Sequence, residues 1–387
     1  MRKEQPEEWV VYHAKSRWKK RAVGVALAAA LIVPAWLYLP ALLFPPPVPP
    51  LPADHHAPYT PGSPWNTAIP ADASPDEGSA AFVAAFAGRW LTSDPTQYTY
   101  PVYVVSESAT SRSVSVSGKY SDVLEYGNAL SNQHGGSVLA PIPYGASPSP
   151  GTDGHLVVWN PATGDEWGFW QASQGADGAW TATNGYHYST AWSGVPPSTF
   201  VSRGAGLPYF AGLVRPWEIE SGRIGHALAF GYNYPSSGFV FPATKSDGDG
   251  LAGVDLPEGA RLQLDPTLNG THFDAWGLSP AGKVMARALQ EFGMIVVDNS
   301  GRPKIYVEDE RTAHWEGTVV ANTVSPIPFS SFRVLDLSRP VGSSAGEGTR
   351  ANAASPNGTG HASAVLVRPQ EERAVVTRSS MTSSGHA

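Results

Sequence analysis

Between residues 65 and 339, apolar and polar positions alternate in short runs, and Gly, Pro, Asn or Asp closes most of them. Such runs predict β-strands, because neighbouring side chains on a strand point to opposite faces. The pattern places strands at 101–105, 114–117, 155–159, 166–171, 180–183, 226–231, 238–241, 260–264, 294–298 and 304–307. Two stretches follow the helical period instead. Residues 79–91 align Phe82, Val83, Phe86 and Trp90 on one stripe. Residues 280–292 put Val284, Ala288, Leu289 and Phe292 on one face, with Ser279 as N-cap, Pro280 in the first turn and Gly293 as the stop. Many short strands with few helices predict a mainly β single domain of β-sandwich or jelly-roll type, carrying a few short helices.

The pattern changes at both ends. Residues 22–44 are 23 uncharged, mostly aliphatic positions, long enough to cross a bilayer core of ~30 Å. Before them, residues 2–21 hold seven Lys/Arg against three Glu. That basic flank is expected to stay in the cytoplasm and put the rest of the chain outside. The expected organisation is a cytoplasmic segment 1–21, a single transmembrane anchor 22–44, a Pro-rich stalk 45–64, an extracytoplasmic β-rich domain 65–339 and a disordered tail 340–387. Nine prolines between 45 and 64 favour extended polyproline II. The tail is Ser-, Ala-, Gly- and Arg-rich with few large apolar groups. A cleaved signal peptide is the alternative to the anchor, but no small-residue cleavage site closely follows residues 22–33.

Composition narrows the chemistry. With no Cys among 387 residues, disulfides, thiolate nucleophiles and iron–sulfur clusters are excluded. Beyond residue 21 the chain carries 19 basic and 30 acidic residues, a formal charge of −11. A nucleic acid is therefore not an expected partner, since such binders show a basic patch or stripe. Within residues 65–339 the G-x-S-x-G, H-E-x-x-H and Walker signatures are absent. Asp247-Gly248-Asp249-Gly250 offers oxygen ligands without the later acid that a calcium loop uses, so no metal and no cofactor is expected.

Two segments concentrate polar groups among aromatic ones. Asp153-Gly154-His155 leads into a strand ending at Trp159, and six turn residues later Glu166-Trp167-Gly168-Phe169-Trp170 returns. This is a β-hairpin pattern. Pairing Trp159 with Glu166 sets Val157 opposite Gly168 and His155 opposite Trp170. Gly168 would then leave a notch between a carboxylate, an imidazole and flat indoles, a surface suited to a sugar. The plainer reading is an aromatic core hairpin. The second segment is Arg215-Pro216-Trp217-Glu218, a helical turn or two closing at Gly222, and then His226. Arg215 can clamp an anion bidentately or pair with Glu218.

The series Ser63-Pro64-Trp65-Asn66-Thr67, Asp153-Gly154-His155, 212–228, 257–265 and 288–299 resembles a family of secreted bacterial proteins, common in actinobacteria. The likeness covers about residues 63–310. It implies one extracytoplasmic domain with polar positions at Asp153, His155, Arg215, Glu218 and His226, and no established activity comes with it.

The residue types lead to a carbohydrate-active protein that acts on an envelope or environmental glycan. Hydrolysis needs two carboxylates flanking the bond, and Asp153, Glu166 and Glu218 are the candidates. Lyase chemistry on a uronic acid would instead use His155 or His226 as base, with Arg215 neutralising the acid. Trp159, Trp167, Trp170, Trp217 and Arg261 are the candidate substrate contacts. A non-catalytic glycan- or wall-binding module is the alternative. The catalytic reading expects at least four of Asp153, His155, Glu166, Arg215, Glu218 and His226 to line one concave pocket.

Overall fold

The computed structural model describes residues 58–339 and 341, apart from 126–127, 131–134, 197–200 and 202. The expected anchor at 22–44, most of the stalk and nearly all of the tail lie outside the described residues. Among those described, no helix is long and apolar enough to cross a membrane. The fold is β-rich with few helices, as the pattern predicts. A six-stranded sheet runs, edge to edge, β1 (Val102–Val104), β6 (Leu156–Asn160), β7 (Asp165–Trp170), β10 (Asn184–Ser189), β3 (Val123–Glu125) and β4 (Asn128–Leu130). A five-stranded sheet runs β16 (Lys304–Ile305), β11 (Leu228–Tyr232), β15 (Met294–Asn299), β14 (Arg261–Leu264) and β17 (Phe332–Val334). A four-stranded sheet runs β5 (Gly136–Ala140), β2 (Arg112–Val116), β9 (Trp180–Ala182) and β8 (Ser173–Gln174). The short β12 (Ser236–Phe239) and β13 (Pro257–Glu258) pair with each other. The sheets are mixed: β1 with β6, β3 with β10, β2 with β9 and β11 with β15 are parallel pairs.

Period-two alternation explains how the sheets are layered. On β6, Val157 and Trp159 enter one apolar cluster, and Leu156 and Val158 enter another. The first cluster also takes Ala229, Ile295 and Val297 from the five-stranded sheet, so it lies between the two large sheets. The second takes Val114, Val116, Val138 and Trp180 from the four-stranded sheet. The outer face of the five-stranded sheet, with Leu228, Phe230, Met294 and Val296, packs against a helix and the loops around it. Both faces of each large sheet are thus covered, and the central strands carry apolar residues at successive positions.

The helices are α1 (Ser79–Ala84), α2 (Pro216–Ser221), α3 (Gly270–Ala275) and α4 (Pro280–Glu291). The sequence signals for α4 hold: the Ser279 side chain accepts from Gly282 N at 3.1 Å, and Gly293 sits at φ 73° just past its end. α1 is shorter than the expected 79–91. Gly88 turns the chain at φ 75°, so Phe86 and Leu91 are buried while Trp90 stays 60% exposed. α3 is an element the hydrophobic period does not show. It is fixed by Asn269, whose side chain accepts from Thr271 N at 3.0 Å. The body also begins earlier than residue 65. Tyr59 is buried in the central cluster, and its backbone N donates to Thr190 O at 2.7 Å.

Candidate functional site

The hairpin forms in the expected register, with Trp159 opposite Glu166 and Val157 opposite Gly168. The expected notch at Gly168 is filled, however. Tyr186 on β10 lies directly across from Gly168, and a Cβ on that glycine would meet the Tyr186 ring at 2.3 Å. Glycine is required there because an aromatic ring takes the space. Glu166 is correspondingly fully buried and accepts from Tyr59 OH at 2.6 Å and Tyr186 OH at 2.8 Å.

Burial pushes the Glu166 carboxyl up to about 7 against the two tyrosine hydrogen bonds, which favour the charged form. Its folded value thus lies above the ordinary 4.5. The folded state holds the proton more tightly, so this stabilisation is complete below about pH 4.5 and is lost as pH rises through 7. A gap of that size corresponds to about 3 kcal/mol. Glu166→Gln should therefore flatten the fall in stability between pH 4.5 and 7, as measured by denaturant midpoints across that range. An unchanged pH slope would assign the titration to another group.

The other expected site residues divide in the same way. Glu218 Oε1 lies 2.9 Å from His226 Nε2, and Glu218 Oε2 accepts from Arg215 N at 3.0 Å at the start of α2. His226 Nδ1 is 2.8 Å from Ala227 O, so both ring nitrogens face acceptors. Arg215 lies 3.2 Å from the centre of the Phe210 ring and donates to Phe210 O. All three are buried and none lines the large cavity at the strand ends. Arg261 donates to Thr67 O, Phe292 O and Pro64 O, tying the N-terminal segment to the end of α4. Trp159 packs on Phe210 in the central cluster, and Trp167 stacks on His187 on the opposite side of its sheet. Trp217 is half-buried on α2, away from the cavity wall.

A cavity of about 870 Å³ opens where the ends of several strands meet. Trp170 closes β7, Asn184 opens β10, Asp298 and Asn299 close β15, and Lys304 opens β16. Of the six residues expected to share a pocket, only Asp153 and His155 line it. Four others do not, because their strands and turn place them against the core. The cavity mixes apolar surface with charged groups, with Asp153, Asp247, Asp298, Arg203, Lys245 and Lys304 in its wall. Its ring-bearing wall includes Trp170 with Tyr120 edge-on at 5.7 Å, and Tyr98; Tyr98 and Tyr120 are exposed.

The groups in the wall differ in setting. Asp153 is half-buried and its pKa is raised by burial, with a Trp170 hydrogen bond opposing. His155 is buried edge-on to Tyr100 and Tyr209, its Nδ1 has no partner, and burial moves it well below its usual range. Arg203 is buried over the Tyr100, Tyr306 and Tyr209 rings and donates to Ala211 O and Tyr209 O. Lys304 donates to Tyr98 O, and burial pulls its ammonium down to about 8. Asp298 accepts from Tyr306 OH at 2.9 Å and is pushed up to about 7, first by burial and then by the Asp247 charge. Asp247, Glu258 and Asp298 form the group of oxygens that could hold a metal ion.

Asp298, Lys304, Arg203 and Asp247 were not singled out from the sequence as site residues. For Asp298 a signal exists, an acid closing an apolar run at the end of a strand. For Arg203 no local pattern exists, and Asp247 stands in the Asp-Gly-Asp-Gly turn, whose missing later acid argues against a calcium loop. Comparison of the chain with family models, curated proteins and solved structures finds no match in any of the three.

Proposed function

We propose that this is a carbohydrate-active protein whose cavity binds and cleaves a glycan of the cell envelope or the surroundings. The observation that carries this reading is the pairing of an aromatic wall with Asp153. Trp170 offers a ring face to sugar C–H groups while its indole engages the Asp153 carboxyl. A cavity of about 870 Å³ is of the size that small-ligand sites have, and it accommodates a sugar unit with neighbours reaching the mouth. Asp153, held protonated more readily than a free carboxyl, serves as proton donor to the glycosidic oxygen. Asp298 and Asp247 are the carboxylates elsewhere in the same wall that hydrolysis needs in addition to the donor.

The same proposal takes the face-to-face packing of the two large sheets as a sandwich-type scaffold. It places the domain outside the cell membrane, on a single-pass anchor at 22–44 with a cytoplasmic N-terminus. The basic flank and the Pro-rich stalk support that placement. The test is release of reducing ends, or of unsaturated uronates, from a panel of polysaccharides by the full-length protein. Release in either form supports a catalytic role and separates hydrolase from lyase. Binding to one glycan without release assigns the non-catalytic alternative, and neither binding nor release overturns the carbohydrate reading.

A further inference from the structure

Three carboxylates distant in sequence meet at the floor of the cavity. Asp247 comes from the loop after β12, Glu258 from β13 and Asp298 from β15, and one oxygen of each lies within 4.8 Å of the others. Asp247 and Asp298 face the cavity, and Glu258 lies behind them with no exposed surface. Their bonds to the protein are few and come from neutral donors. Asp298 accepts from Gly204 N at 3.3 Å and from Tyr306 OH. Asp247 Oδ1 accepts from Asn299 N at 3.3 Å, and Glu258 Oε2 accepts from Asp247 N at 3.3 Å.

Glu258 Oε1 makes no well-formed hydrogen bond although it is completely buried; the Ser246 hydroxyl and the Asp247 carboxyl are the side chains that reach this carboxylate. A buried acceptor left empty is costly, and it is uncommon in native structures. Among the described residues no lysine or arginine pairs directly with the three acids. The ammonium of Lys245, in the same wall, donates to Ser121 Oγ and acts on the three acids through space without a direct ion pair. Gly204 keeps the space beside the acids clear. A Cβ there would come within 2.4 Å of Asp247 Oδ1 and 2.8 Å of Asp298 Oδ1.

We propose that Asp247, Glu258 and Asp298 bind one divalent cation of the calcium type. The donor set is hard oxygen with no imidazole or sulfur, which selects calcium, magnesium or manganese over zinc or copper. Oxygens held at 2.3–2.6 Å around one calcium ion are at most about 4.6–5.2 Å apart, a span that contains this group. The buried Glu258 carboxylate gains a cationic partner, and the mutual repulsion of the acids becomes attraction to the ion. Because two ligands face the cavity, the remaining coordination positions open toward it, and water or ligand hydroxyls fill them. The proposal goes beyond the glycan reading and does not rest on it, but it takes Asp247 and Asp298 for the ion, so with the ion bound they are not free carboxylates for the proposed hydrolysis. A proton shared between Asp247 and Glu258 is the competing way to relieve the crowding.

The test uses the full-length protein, stripped with chelator and titrated with terbium while its aromatic residues are excited. Tyr306, bonded to Asp298, is close enough to sensitise a bound lanthanide. The expected result is saturable luminescence that calcium displaces, one calcium per chain by elemental analysis, and a melting temperature that rises with calcium. Glu258→Gln should weaken calcium binding about tenfold or more, the scale on which ligand charge tunes such sites. Asp249→Asn, which changes a nearby acid outside the trio, should leave it unchanged. Asp298→Asn gives the same reading if the Glu258 variant does not fold. Absence of sensitised luminescence and of bound calcium in the native protein overturns the proposal in favour of the shared proton. Equal loss in the Asp249 and Glu258 variants overturns it in favour of diffuse surface binding. No glycan enters the assay, so failure here leaves the proposed function standing, and failure of the polysaccharide panel leaves this one standing.

Discussion

On the proposed function, Asp153→Asn should lower turnover on a cleaved glycan by roughly a hundred- to ten-thousandfold, the range a positioned proton donor contributes, while the fold stays intact. Asparagine keeps an oxygen that can accept from the Trp170 indole, so the wall of the cavity is preserved and only the transferable proton is lost. Affinity for a non-cleaved oligosaccharide should change little. The Trp170→Phe variant gives a second reading of the same group. It keeps a ring face but removes the hydrogen bond that holds the Asp153 pKa down. The donor then stays protonated to higher pH, and the basic limb of the pH–rate profile moves upward. The measurements are kcat across pH for the wild type and both variants, alongside binding of the inert ligand. Full activity of Asp153→Asn would remove Asp153 from the chemistry and leave the cavity as a binding site.

Glu218→Ala is expected to cost about 2–6 kcal/mol of stability, because it leaves two buried donors without an acceptor at about 1–3 kcal/mol each. The reason is local. Glu218 accepts from His226 Nε2 and from the Arg215 backbone, and all three residues are buried. Removing the carboxylate strands His226 and frees an amide at the start of α2. Glu218→Gln should cost less, because an amide oxygen can still accept one of these bonds. Denaturant midpoints at constant m report the loss, and activity per folded molecule should remain that of the wild type. This separates the structural role found here from the catalytic role that the residue type suggests. A stable Glu218→Ala protein with no activity would restore the catalytic reading.

The expected catalytic group shows what a local reading of sequence can reach. Alternation sets Glu166 and Gly168 in the observed register, while their environment is decided by a strand outside the hairpin. β10 supplies Tyr186 to fill the notch, and its sequence Asn184-Gly185-Tyr186-His187-Tyr188-Ser189 has too little aliphatic alternation to mark it as a central strand. The hairpin was legible because both its strands and its turn lie within about twenty positions. The strand covering its other edge comes later in the chain, and no spacing within the hairpin announces it. The same holds for His226 and Arg261. A polar residue beside an apolar strand reads as a rim position until its partners, such as Glu218 or the carbonyls of Pro64 and Thr67, are known.

By itself, the sequence determined the β-rich class, the positions of most strands, the caps of α4 and the turn after α2. These follow from alternation, helix-capping chemistry and glycine at left-handed turns, which act over a few residues. Only the tertiary structure decided that three sheets stack, which faces they share, and where the cavity opens. It alone brought Asp247, Glu258 and Asp298 together and left Glu258 Oε1 without a well-formed hydrogen bond. The physical reason is that alternation specifies which side of a strand a residue faces, while the element covering that side is chosen by packing between segments far apart in the chain. A calcium loop carries its ligands within one short stretch and can be read from spacing. Here the acids are carried by two strands and a loop, so their meeting depends on strand order, and strand order is set by how the whole domain buries its apolar faces.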